Sequence, residues 1–78
     1  MREKTPRVVI TFHTTAEAMA TEKLCQKNGL DGKLISAPRA LSADCGIAWS
    51  APSEQRETLR WMLDEAGIEF DGIHELLL

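Results

Sequence analysis

Two cysteines and two histidines are the side chains of this 78-residue sequence most able to do nucleophilic or transfer chemistry. Cys45 stands in "RALSADCGIAWS", between Asp44 and Gly46, after a polar stretch and before an apolar run. Cys25 sits inside "TTAEAMATEKLCQKN". No CxxC pair, no Ser-His-Asp pattern, no paired carboxylates and no phosphate-binding glycine loop accompany them. His13 and His74 lie far apart and in no ligand spacing, and two cysteines are too few for a closed zinc site, so neither a metal nor a cofactor is expected. What remains is chemistry that one thiol can do alone: take up a group, hold it and give it away.

The elements that must position these thiols follow from the pattern of the chain. "RVVITFH" (7–13) is rich in β-branched and aromatic residues and predicts a strand, with Val8, Ile10 and Phe12 on one face and Val9, Thr11 and His13 on the other. A helix follows, with Thr14 or Thr15 as N-cap, Glu17 in its first turn and Gly29 as its stop. Lys23 and Lys27 mark one stripe of it as outer, so Ala18, Thr21, Leu24, Cys25 and Asn28 are expected to face the core. "GKLISA" (32–37) and "GIAWS" (46–50) predict two short strands joined by "PRALSADC". Pro52 is expected to open a second helix, with Ser50 or Ser53 near its cap. Leu59, Met62, Leu63 and Ala66 share its apolar face, Arg60 and Asp64 form an outer i,i+4 pair, and Gly67 ends it. "IEFDGIHELLL" closes the chain as a strand broken at Gly72.

The order β-α-β-β-α-β, with right-handed crossovers, predicts an α+β ferredoxin-like fold. It has a four-stranded antiparallel sheet in the order 4-1-3-2, both helices on one face, and a single domain over residues 1–78. If the first strand runs upward, the loop carrying Cys45 lies at the top. It is then near Phe12, His13, Thr14 and the N-terminus of the first helix. A helix N-terminus, a protonated His13 and Arg39 each favour an anion there, so they are expected to support a thiolate; Asp44 opposes it if it points at the sulfur. Gly46 removes bulk beside the thiol, so that a partner can approach. Cys25 lies about ten residues down its helix, roughly 15 Å from the top at ~1.5 Å per residue. That is beyond the ~7 Å Cα separation a disulfide allows, so Cys25 is expected to be a core residue. Free cysteine is also often simple packing, and Cys45 itself has that alternative.

Composition bounds the rest. Hydrophobic content of 44% and charged content of 27% describe a globular chain. The charged start and the shortness of every apolar run argue against a signal peptide or a membrane span, and a cytoplasmic protein is expected. Residues 1–50 carry seven Lys/Arg against five Asp/Glu, and residues 51–78 carry two against seven. No basic face for nucleic acid results. Trp49 is expected to be buried; Trp61, off the apolar face beside Glu54, Glu57 and Glu65, is a partner contact, a cover over a sheet edge or a contact with the chain end. The face of the sheet away from the helices would carry Val9 and Thr11, and a homodimer or partner domain could cover it.

"SADCGIAW" after "LISAPRALS", preceded by "TFHTTAEAMATEKL", resembles the selenium/sulfur carrier protein-like family of small bacterial domains over nearly the whole chain. The resemblance implies that Cys45 is the carrier residue with Gly46 beside it. It would hold sulfur or selenium as a persulfide or perselenide between a donor, such as a cysteine desulfurase, and an acceptor protein. That is a carrier more than an enzyme. The rival from another class is a regulatory or protein-interaction module of the same fold, because fold does not fix function. A redox-sensing thiol would use Cys45 without a resolving cysteine nearby.

Overall fold

The computed structural model describes residues 4–41 and 45–78. Its elements are β1 (Pro6–Thr11), α1 (Thr15–Lys27), β2 (Lys33–Ser36), β3 (Ile47–Pro52), a 3₁₀ turn (Ser53–Gln55), α2 (Arg56–Ala66) and β4 (Gly72–Leu77). One antiparallel sheet is formed in the order β2-β3-β1-β4. This is the expected ferredoxin-like α+β arrangement.

The two central strands carry the core because both helices pack on them. Val8, Ile10 and Phe12 of the β1 segment meet Trp49 and Ala51 of β3, Ala18 and Cys25 of α1, and Leu59 and Leu63 of α2. The register fixes this: Ile10 lies opposite Trp49 and Val8 opposite Ala51, so same-face neighbours are apolar on both strands. On the other face Val9 is opposite Ser50 and His74, and Thr11 opposite Ala48 and Gly72. Val9, Thr11 and Ala48 are fully buried and Ser50 nearly so. The Arg7 guanidinium reaches across to the Ser50 hydroxyl, donating from Nε at 3.1 Å. The centre of that face is thus shielded by the chain's own side chains.

Helix α1 begins as its sequence dictates. Thr14 is the N-cap: its hydroxyl accepts from the Glu17 amide at 3.2 Å, and the Glu17 carboxylate accepts from the Thr14 amide at 3.2 Å. This capping box satisfies two amides that the helix cannot. Gly29, at φ +69°, takes the left-handed conformation just past the end. Ala18, Thr21 and Cys25 are buried and Leu24 packs against the core. Asn28 is exposed instead of facing the core; its side-chain amide turns back and donates to the Leu24 carbonyl at 2.8 Å, closing the last turn.

Strand β1 ends at Thr11, before Phe12 and His13, and the boundaries around α2 and β4 also differ from the expectation. Strand β3 runs through Pro52, because β1 offers Val8 and Arg7 as partners for Ala51 and Pro52. Pro52 thus ends a strand and does not open a helix, and α2 starts only after the 3₁₀ turn. Neither serine caps it: α2 has no side-chain cap bond, and Ser50 lies inside β3. Ala66 at the last turn of α2 is exposed. Gly72 begins β4 and does not break it. Ile68 and Phe70 pack on the core before the strand starts, and the Asp71 amide donates to the Thr11 carbonyl at 2.7 Å.

Candidate functional site

The connection from β2 to β3 holds the half-buried Cys45. It leaves β2 through Ala37 and Pro38, and a turn closes where the Leu41 amide donates to the Pro38 carbonyl at 2.9 Å. Arg39 sits in that turn and is exposed. The chain returns at Cys45 and Gly46, where the Gly46 carbonyl accepts from the Ala37 amide at 2.9 Å. That bond ties the start of β3 to the end of β2 and fixes Cys45 just outside the ladder. Asp44, weighed above as an opposing charge, lies outside the described residues.

Cys45 is half-buried. It packs against the core, and its Sγ–H donates to the Ile47 carbonyl at 3.3 Å. The thiol is therefore held in a defined direction and is not a free-swinging surface group. On its C-terminal side the space is open. Gly46 is exposed at φ +72°, and a Cβ built there would meet no atom within 4 Å. Glycine is needed there for the left-handed backbone.

Thr11 pairs with Ala48, so the end of β1 and the start of β3 are at the same end of the sheet. Phe12, His13 and Thr14 follow directly from Thr11 and lead into the N-terminus of α1. Cys45 and that helix N-terminus thus share the end that the topology predicted. His13 is about half-exposed, and its amide donates to Glu17 Oε1 at 3.0 Å. Its ring Nδ1 stands 3.9 Å from the Asp71 carboxylate, at the approach to β4.

Cys25 is a different kind of thiol. It is fully buried, and burial pushes it up to about 11. Both cysteines are free. At neutral pH Cys25 is a neutral, enclosed side chain with the role of a small hydrophobe.

One cluster escaped the sequence. The Thr11 hydroxyl lies 3.3 Å from Asp71 Oδ2 and 3.4 Å from His74 Nε2, and Asp71 also faces His13. The two histidines, distant along the chain, are thus linked through Asp71 and Thr11: His13 faces the carboxylate and His74 the hydroxyl. Only the β1–β4 register, Val9 opposite His74, reveals this. Among the described residues no group of three or more His, Cys, Asp or Glu side chains is arranged to hold a metal ion. Among the same residues no helix is long and apolar enough to cross a membrane.

Residues 7–75 match the family described as "Putative Se/S carrier protein-like". The chain belongs to this family. The match runs from β1 into β4 and includes Cys25, Cys45 and the whole β2–β3 connection. No curated protein and no solved structure matches the chain significantly.

Proposed function

We propose that this protein carries sulfur or selenium on Cys45 and passes it to an acceptor protein. The observation that carries the reading is membership of the carrier-like family, combined with the contrast between the two thiols. Cys25 is enclosed in the core, whereas Cys45 is only half-buried and precedes the exposed Gly46.

The transfer needs no further catalytic group on this chain. A donor presents a persulfide, in which the outer sulfur is bound to the donor's own cysteine. The Cys45 thiol gives up its proton to solvent, and the sulfur attacks the outer atom. A new S–S bond forms on Cys45 as the donor's S–S bond breaks, and the donor leaves as a thiolate that is then protonated. No net oxidation occurs. The second half repeats the exchange: an acceptor nucleophile takes the outer atom, and Cys45 departs as the thiolate. A perselenide follows the same steps with selenium as the outer atom. The donor is a desulfurase-type enzyme that supplies the activated atom, and the Ile47 carbonyl holds the resting thiol in direction until it arrives. Arg39, exposed in the same connection, is a candidate to attract the anionic persulfide.

The test is cyanolysis. Protein exposed to a persulfide donor and then separated from it should release thiocyanate on treatment with cyanide. Cys45→Ser should release none, and Cys25→Ser should release as much as the wild type. Equal release from Cys45→Ser and wild type would remove the reading.

A further inference from the structure

Trp61 is 64% exposed on the outer side of α2, in a domain whose other tryptophan is 1% exposed. It lies in a groove of about 410 Å³ with Glu57, Arg60, Asp64 and Phe70. Phe70 is half-buried and packs on the core, so two aromatic side chains line the groove among charged ones. Glu57 and Asp64 flank the single Arg60 at one helical turn on either side, which leaves the lining net acidic. A second groove of about 580 Å³ shares Asp64 and Phe70, and runs past Glu69 to His13. The two grooves are neighbours, with Asp64 and Phe70 in the lining of both.

We propose that the Trp61 groove docks a positively charged segment of a partner protein, with Trp61 as its aromatic anchor. Charge chooses the occupant. Residues 51–78 hold seven Asp/Glu against two Lys/Arg, and one of those two bases, Arg56, is already paired with Glu75. An Arg or Lys side chain laid over the indole face gains a cation–π contact and meets the carboxylates on both sides. An exposed Trp beside a groove is also the residue type that dominates interface energetics. A second copy docking by this same patch would set acid against acid. Cys45 is not among the groove's lining residues, and occupation of the groove does not require Cys45 to react.

The probe is a blocked peptide of alternating arginine and leucine, titrated by calorimetry, with a glutamate-for-arginine peptide as control. Tryptophan fluorescence gives a second readout, since Trp49 is enclosed and Trp61 is not. The arginine peptide should bind, weaken as salt is raised, and lose about tenfold or more in affinity with Trp61→Ala. Trp61→Phe should retain most of the binding. Asp64→Lys should weaken it too, and a cation in the last turn of α2 does not threaten the fold. No binding of the arginine peptide, equal binding of the glutamate peptide, or affinity unchanged in both Trp61→Ala and Asp64→Lys would overturn the proposal. Sedimentation showing a wild-type dimer that Trp61→Ala dissolves would overturn it in favour of a second copy.

Discussion

The Cys45 sulfur donates to the Ile47 carbonyl two residues ahead of it, at 3.3 Å. The side chain is thus both a core contact and a directed thiol, and substitutions can separate these roles. A serine hydroxyl at this position keeps the donor and nearly the size. Cys45→Ser should change stability by less than about 1 kcal/mol, within the worth of a net hydrogen bond. Cys45→Ala loses the bond and should fall further. Thermal unfolding of the two variants checks the order; a Cys45→Ser protein that fails to fold would make the cysteine a packing residue first.

Burial of Cys25 predicts slow chemistry and a pH signature. Alkylation of native protein at neutral pH, followed by peptide mapping, should label Cys45 well before Cys25. Faster labelling of Cys25 would reverse the assignment.

The same thiol links stability to pH. Its folded value is raised, from 9.0 to about 11, so the unfolded chain ionises first as pH climbs. The stability held by the neutral thiol is complete below about 9 and lost as pH rises through about 11, on the order of 2 kcal/mol in total. Denaturant unfolding of wild type and Cys25→Ala across this window should show the steeper alkaline loss in the wild type. Parallel curves would show that Cys25 ionises alike in both states.

Gly32 is held small by Trp49. A Cβ at residue 32 would lie 2.4 Å from the indole ring, which is itself enclosed in the core. Gly32→Ala should cost about 1–3 kcal/mol, the range for overpacking. Chemical denaturation measures it, and a neutral result would mean that the β2 entry yields more easily than the packing indicates.

Thr14 closes the capping box at the end that also carries the Cys45 connection. Thr14→Ala should destabilise the domain by about 1 kcal/mol, and Thr14→Ser by much less. Urea midpoints of the two variants decide it; equal losses would mean that the hydroxyl contributes little.

Much of this architecture was legible because local signals agreed. The β-branched run of β1, the Thr14–Glu17 box and the Gly29 and Gly67 stops each named an element, and the crossover rule then ordered the sheet. The start of α2 was not legible. Pro52 satisfies a helix start in isolation, and only its pairing opposite Arg7 makes it the end of a strand. Asn28 matched the buried stripe by spacing, yet the last carbonyls of α1 needed a donor. At the site, sequence placed Cys45 at the correct end of the sheet. Its bond to Ile47 and the convergence of His13 and His74 on Asp71 and Thr11 depend on turn geometry and register, which no periodicity encodes.

The most direct test of the carrier reading is the intact mass of the protein after incubation with a cysteine desulfurase and cysteine, or with selenocysteine as the source. The wild type should gain the mass of one sulfur or one selenium atom, lost again on reduction and localised by peptide mapping to Cys45. Cys45→Ser should gain nothing. A wild type that gains no mass from either source, or a gain that survives Cys45→Ser, would contradict the account.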